Sequence, residues 1–353
     1  MGTARRVRAI GSWALAGAAC TAGPREDAVG ETDFSANGAA SSTSTGDNPV
    51  PAPVETDTDP EAADTDATHF DVADGGATGG PGEGGSGCGA VDFLFVVDSS
   101  GSMAAHQENL VANFPTFVDG FLAAAQTVTS VHVGVVTSDA YAWNAPECVE
   151  IGQLVTRTRL PDGETPICGP WGGRNYLTDA DDLATGFSCA ARVGIHGDQC
   201  ERPMQGLLDA VEGLHAGAGD CNAGFLREDS LLVVVLLTDE WDGPGDPEEP
   251  YCEPTPGTPD DWFEAVVHAR DGVESNVVVL SLINYETTPG AGPCPPCGMT
   301  GCNAFFDTRD IQTFTERFEH GLVGGLCETD YGPYFQAATD IVIDACDGYT
   351  PVG

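Results

Sequence analysis

Lysine is absent from this chain of 353 residues, and all 13 of its basic residues are arginines. They stand against 55 acidic residues, which gives a formal net charge of −42 at pH 7. Such a chain has no material for the basic stripe that nucleic-acid-binding proteins use, and an anionic membrane surface would repel it. We therefore expect no nucleic acid partner, and any membrane attachment has to come from a separate anchor.

Signatures of common catalytic sites are missing as well. The sequence contains no His-Glu-x-x-His, no Gly-x-Ser-x-Gly and no Gly-x-x-x-x-Gly-Lys-Ser/Thr, and its seven histidines are scattered. Those motifs supply zinc ligands, a serine nucleophile or a phosphate-binding loop. Their absence argues against an enzyme of these classes, and we expect a protein that is not an enzyme.

Cysteine, by contrast, is plentiful. Of the 13 cysteines, Cys20 stands apart and the other 12 lie between Cys88 and Cys346. An even number of cysteines in an exported chain is typical of a disulfide framework. The Cys-x-x-Cys pair at 294–297, with Cys302 nearby, also leaves open a redox pair or a zinc site. Its Pro/Gly surroundings and the lack of a close fourth ligand favour disulfides there too.

Residues 1–20 have the pattern of a signal peptide. Three arginines precede a mostly apolar run, Ala9–Ala19, which is too short to span a bilayer. Cys20 follows small residues, as in a bacterial lipoprotein processing site, although Gly17 stands where that pattern prefers leucine. We expect an exported protein of the cell envelope, lipid-anchored at Cys20 in the outer membrane or at the cell surface. Secretion after a plain signal is the alternative.

Residues 21–87 predict a disordered acidic linker, because their apolar residues are isolated and cannot form a buried face. From about 88 to 350 the composition is that of one folded domain. Apolar runs that end abruptly in small polar residues alternate there with helical patterns, which indicates an α/β fold. We expect an open, mostly parallel sheet with helices on both faces. Its buried strands are Phe93–Val97, Val131–Thr137, Leu231–Thr238 and Asn276–Ile283.

A cysteine-rich insertion of little periodicity occupies about 140–200. Within it, Gln153–Thr158 has the pattern of a short edge strand, and a helix over about 180–191 would be capped by Thr178 or Asp179. Earlier in the domain, Pro115 should kink or interrupt the first long helix.

Hard oxygen donors follow two of the predicted strands. Asp98, Ser100 and Ser102 come directly after the first strand, and Asp239 follows the strand at 231–238. If the two strands are neighbours in a parallel sheet, these side chains meet at one edge. Carboxylates and hydroxyls suit a hard divalent cation, so we expect Mg²⁺, with Mn²⁺ or Ca²⁺ as substitutes.

Asp98-Ser-Ser100-Gly-Ser102 after a buried strand, with Thr238-Asp239 after a later one, resembles the von Willebrand factor type A (vWA) domain. The resemblance covers roughly residues 88–350 and implies a Rossmann-like fold with a metal-ion-dependent adhesion site. It implies that Ser100 and Ser102 ligate the cation directly, whereas Asp98 and Asp239 bind it directly or through water. It also implies an adhesion or ligand-binding module whose protein partner offers an Asp or Glu carboxylate to the cation.

One ligand of that family is not matched. A threonine just before the helix that starts here at Pro203 completes the family's metal shell, but the loop at 194–198 has none. Asp198 or a water could substitute, His196 is less apt for Mg²⁺, and Thr185 would serve only if the loops fold unexpectedly.

Two other functions stay open from the sequence. A metal-dependent hydrolase would need a general base near the cation, and the candidates are Asp139, His196 and Glu240. A structural surface lipoprotein whose site holds no metal is the other alternative.

Overall fold

The computed structural model describes residues 87–160, 162–198, 200–242, 253–284 and 307–352. The expected signal peptide, Cys20 and the linker as far as residue 86 lie outside the described residues. The same holds for the Cys-x-x-Cys pair at 294–297 and for Cys302.

Six strands form one sheet in the order β3-β2-β1-β4-β5-β6. All neighbours pair in parallel except β3, which pairs antiparallel with β2 at one edge. The expected open, mostly parallel α/β sheet is confirmed. The strands are β1 (Ala90–Val97), β2 (Ser130–Thr137), β3 (Leu177–Thr178), β4 (Leu231–Thr238), β5 (Val277–Ile283) and β6 (Gly321–Gly325).

Helices cover both faces of the sheet, which explains why β1, β4 and β5 are apolar almost without a break. They are α1 (Ala104–Ala124), α2 (Leu183–Ala190), α3 (Pro203–Val211), α4 (Pro259–His268), α5 (Arg309–Thr315) and α6 (Gly332–Asp347). Helices α1, α2 and α6 pack on the face to which Phe93 and Phe95 of β1 point. Helices α3, α4 and α5 pack on the opposite face, with Leu94 and Val96.

The strand order reverses at β1, because the chain places β2 on one side of β1 and then β4 on the other. Val97 pairs with Leu237 at the end of this β1–β4 ladder. The residues that follow each strand therefore emerge side by side, in the crevice where open α/β sheets bind ligands.

Three disulfides join described cysteines: Cys88–Cys346, Cys148–Cys221 and Cys168–Cys189. Cys200 and Cys327 are disulfide-bonded as well. Two of the three bridges hold the insertion at about 140–200, where regular structure is sparse. Disulfides of this number are typical of an extracellular or otherwise oxidising environment.

Among the described helices, none combines the length and the apolar character that a membrane crossing requires.

Two local predictions were wrong, and at Pro115, where a kink or an interruption was predicted, the interruption does not occur. Gln153–Thr158 forms no strand, because its backbone hydrogen-bonds to the Asn144 side chain. That side chain donates to the Leu154 carbonyl and accepts from the Thr156 amide, at 2.9 Å each. Asp182, rather than Thr178 or Asp179, caps α2 by accepting from the Thr185 amide at 3.1 Å. Helix α1 runs through Pro115 without interruption, and Phe114 and Phe117 on either side of that proline are buried in the core.

Candidate functional site

The first predicted residue, Asp98, lies fully buried just beyond the end of β1. Its amide extends the β1–β4 ladder by donating to the Leu237 carbonyl at 3.0 Å. One carboxylate oxygen accepts from the Ser100 amide at 2.7 Å, and the other accepts from the Thr238 hydroxyl at 2.6 Å. Two loops that follow neighbouring strands thus fix the orientation of this carboxylate.

The other three predicted residues are linked by hydrogen bonds next to it. The hydroxyls of Ser100 and Ser102 lie 3.0 Å apart, and the Ser102 hydroxyl donates to Asp239 Oδ1 at 3.0 Å. Ser100 is buried whereas Ser102 is exposed, so the group opens to solvent on the Ser102 side. The structure therefore brings all four predicted site residues together.

The loop that precedes α3 packs directly on this motif. The Gly197 amide donates to the Ser99 carbonyl at 3.0 Å, and a Cβ at position 197 would lie only 2.2 Å from Ser99 Oγ. Gln107 of α1 ties the same loop to β1, since its amide nitrogen donates to the carbonyls of Asp98 and Gly194 at 2.9 and 2.7 Å. The loop is thereby held against the end of β1.

Asp139, which follows β2, hydrogen-bonds to both the Asp98–Ser102 motif and the loop before α3. It accepts from the Ser99 hydroxyl at 3.1 Å and from the Asp198 amide at 2.7 Å. Burial raises the pKa of its carboxyl, and these hydrogen bonds oppose that rise. Asp139 is buried and links the motif to the loop through these hydrogen bonds.

The three residues suggested for the missing ligand are all exposed. Asp198 is exposed and its carboxylate accepts from the Cys200 amide at 3.0 Å. His196 is exposed, and Thr185 is exposed in the first turn of α2.

Glu201 is the residue that the sequence analysis missed. It is 8% exposed, and its Oε2 accepts from the Ser138 hydroxyl at 3.1 Å. Its Oε1 is buried and has no hydrogen-bond partner among the described residues. Burial and the charge of the adjacent Asp98 carboxyl raise the pKa of Glu201 well above its usual value, and the two carboxyls can hydrogen-bond to each other only when one of them is protonated. A carboxylate two residues before the helix-starting Pro203 was the available signal.

Acidic side chains dominate the electrostatics of the site. Burial and the charge of Asp98 raise the pKa of Asp239 to about 6. Burial and the charges of Asp98 and Asp239 raise that of Glu240 to about 8. Within the described ranges, no arginine or histidine forms an ion pair with Asp98, Glu201, Asp239 or Glu240.

This donor set fits a hard divalent cation. The described residues contain no group of three or more His, Cys, Asp or Glu side chains arranged to hold a metal by themselves. A cation held here by Asp98 and Asp239 would therefore need the hydroxyls of Ser100 and Ser102 as further ligands. Oxygen donors of these two kinds are the ligands that Mg²⁺, Mn²⁺ and Ca²⁺ accept.

Asp242 holds the start of helix α3 beside the site. Its carboxylate accepts from the Met204 amide at the start of α3 at 2.5 Å and from the Thr255 amide at 3.1 Å. Burial raises the pKa of Asp242 to about 6.

Comparison with known proteins gives a likeness of fold at low similarity. No protein family matches the sequence, and no curated protein matches it either. Two crystal structures of proximal thread matrix protein 1 from the mussel byssus are similar, with 12% and 13% identity and TM-scores of 0.38 and 0.37. Each match covers 73% of this chain, and the chain spans about half of that protein's length, 49% and 48%.

Proposed function

We propose that this chain is an extracytoplasmic vWA-type adhesion or ligand-binding module. It binds a divalent cation through Asp98, Ser100, Ser102 and Asp239, and through that cation it engages an Asp or Glu carboxylate of a protein partner. The cation is Mg²⁺, which Mn²⁺ or Ca²⁺ can replace. The position of the four residues at the reversal of strand order supports this function.

The observation that carries the proposal is a buried cluster of carboxylates without a protein countercharge. Asp98 is fully buried and Asp239 is 2% exposed, and no described arginine neutralises either one. A buried carboxylate is costly unless a cation or hydrogen bonds compensate its charge. The Ser100 and Ser102 hydroxyls beside them add neutral oxygen donors, which together with the carboxylates make a site for a hard cation.

The exposed position of Ser102 leaves one side of the site accessible to a partner. A bound divalent cation would supply a Lewis-acidic centre there for an incoming carboxylate. Asp239 orients the Ser102 hydroxyl, and the Asp98 carboxylate is itself held by the Ser100 amide and the Thr238 hydroxyl. We propose binding rather than catalysis because Asp139, one of the candidate bases, is engaged with Ser99 and Asp198.

The three disulfides support an exported location. We further propose that Cys20 carries a lipid anchor, which would place the domain at the outer membrane or the cell surface, at the end of an extended acidic tether.

The test is a calorimetric titration of the full chain with Mn²⁺ and with Mg²⁺. We expect one site per chain, and we expect Asp239→Asn and Ser100→Ala each to weaken binding at least about tenfold. Glu212→Gln is the matched control, since it removes an equal charge from an exposed residue at the far end of α3. A wild-type chain that binds neither ion, or an Asp239→Asn chain that binds as tightly as wild type, would refute the proposal.

Capture of partners on immobilised protein, with Mg²⁺ or with EDTA present, then tests the adhesive role. Partners that depend on the cation should be released by EDTA and should not bind the Asp239→Asn variant. Partners that stay bound in EDTA and that also bind the Asp239→Asn variant would be held through another surface.

A further inference from the structure

Glu201 occupies the place in the fold where the sequence offered no metal ligand. It lies between the loop at 194–198 and the start of α3 at Pro203. That loop is fixed against Ser99 through the Gly197 amide. The chain therefore reaches the site with a carboxylate at the point where the vWA resemblance implies a threonine hydroxyl.

The Glu201 side chain is held in position by the residues that follow β2. The Ser138 hydroxyl donates to Oε2 at 3.1 Å and also accepts from the Ser99 amide at 3.4 Å. The Ser138 carbonyl accepts from the Arg202 amide at 2.6 Å. One serine thus connects Glu201 with the Asp98–Ser102 motif, and only one of the two carboxylate oxygens is used in doing so.

The second oxygen, Oε1, is buried without a hydrogen-bond partner in the described part of the chain. A buried polar atom of this kind costs about 1–3 kcal/mol, more when the group is charged, so native proteins rarely leave one unpaired. Its neighbour is the Asp98 carboxyl, which as a carboxylate offers another acceptor and no donor. Either a proton or a cation between the Glu201 and Asp98 carboxylates would remove the repulsion between them.

We propose that Glu201 is a protein ligand of the divalent cation, bound through Oε1 where the related sites use a hydroxyl. This inference rests on the proposed function of the site. A carboxylate in place of a neutral hydroxyl raises the affinity for the cation and neutralises more of its charge. Because no three described carboxylates are arranged around one ion, Asp98 or Asp239 then binds the cation through water. The cation is then retained more firmly, while its pull on a partner carboxylate is weaker than in a site completed by threonine.

The experiment is a Mn²⁺ titration of the full chain followed by calorimetry, with Glu201→Gln, Glu201→Thr and Glu212→Gln. The glutamine keeps the shape of Glu201 and its oxygen can still accept from Ser138. Glu212 lies exposed at the other end of α3, so Glu212→Gln controls for the loss of one charge. We expect the dissociation constant to rise at least about tenfold in both Glu201 variants and to stay within about twofold in the control.

A second readout separates a ligand from a merely neighbouring charge. Tb³⁺ luminescence lifetimes in H₂O and D₂O count the waters on the bound ion. Glu201→Ala should add one water if Glu201 is a ligand. Melting of each variant in EDTA shows whether it folds, and the water count of a folded variant remains informative whatever its affinity.

The outcomes distinguish the two proposals. If the wild-type chain binds no cation, both fail. If Asp239→Asn abolishes Mn²⁺ binding while Glu201→Gln binds like wild type with an unchanged water count, only the role of Glu201 is overturned. In that case the two carboxyls share a proton instead of a metal.

Discussion

The two ends of β1 each bury an aspartate, and the chain treats them in opposite ways. At the amino end, Asp92 is fully buried and accepts from the Arg227 side chain, the Arg227 amide and the Ser230 hydroxyl at 2.5–2.8 Å. At the carboxyl end, Asp98 is equally buried, but its neighbours Glu201 and Asp239 are themselves acidic. One end carries its own countercharge, whereas at the other no described arginine or histidine forms an ion pair with the acidic cluster.

The comparison shows why burial alone does not identify a functional carboxylate. Asp92 is neutralised by an arginine of the same chain. Such a buried pair adds little net stability, but removing one partner lowers the stability strongly. The acidic groups around Asp98 raise one another's pKa, which is a pattern that often marks functional sites.

The largest expected effect follows from removing the countercharge at the amino end. Arg227→Met leaves Asp92 with the more distant Arg270 guanidinium, at 4.0 Å, as its arginine partner. It should lower the free energy of unfolding by about 3–5 kcal/mol, measured by urea denaturation in EDTA. Asp98→Asn is the matched change at the other end. An asparagine there can accept from the Ser100 amide and donate to Thr238, and it removes a repulsive charge, so stability in EDTA should not fall. Equal losses in the two variants would break the comparison.

A second prediction concerns pH. The folded chain holds protons on Asp239, with a pKa of about 6, and on Glu240, with a pKa of about 8, where the unfolded chain has released them. Stability in EDTA should therefore fall as the pH rises from about 4 to 8, by on the order of 2 kcal/mol from Asp239. A saturating divalent cation competes with these protons and should flatten the decline.

Melting temperatures across this pH range, with EDTA and with Mg²⁺, provide the measurement. Asp239→Asn should reduce the slope in EDTA. A stability that rises with pH in EDTA would mean that the carboxylates at this end are already compensated, as Asp92 is.

The smallest expected effect tests how firmly the loop before α3 is held on the motif. In Gly197→Ala the new methyl would lie 2.2 Å from Ser99 Oγ, so the loop has to move, at about 1–2 kcal/mol. Gly101→Ala is the control, because a Cβ there meets no atom within 4 Å. We expect weaker Mn²⁺ binding in the first variant alone, since its loop leads to Glu201. Identical urea midpoints would show that the loop is not packed as described.

Much of the fold could be predicted because its strands are buried on both faces. The apolar run that ends at Thr238 has no polar interruption, so β4 was predicted with its observed bounds. Regions governed by side chains from distant positions could not be predicted in this way. The backbone at 153–158 is held by Asn144, which no local pattern reveals.

The residues of the site likewise fall into a group that could be predicted and one residue that could not. Asp98, Ser100, Ser102 and Asp239 follow strands whose pairing fixes where they emerge, so their meeting could be predicted. Glu201 follows an irregular loop whose path depends on Gln107, Gly197 and Ser138. No local sequence pattern therefore places Glu201 at the site, and Asp198, which was suggested for the same role, accepts from the Cys200 amide instead.

The Cys88–Cys346 disulfide has a mechanical consequence. It joins the start of β1 to α6 across 258 residues, while the candidate ion site stands at the far end of the same strand. Tension between the chain before Cys88 and a partner held at Asp98 would run along the axis of β1. The hydrogen bonds to β2 and β4 would then be loaded in shear, all together, and the covalent link would pass part of the force into α6. The strand that ends at the candidate ion site is therefore also built to bear a pull.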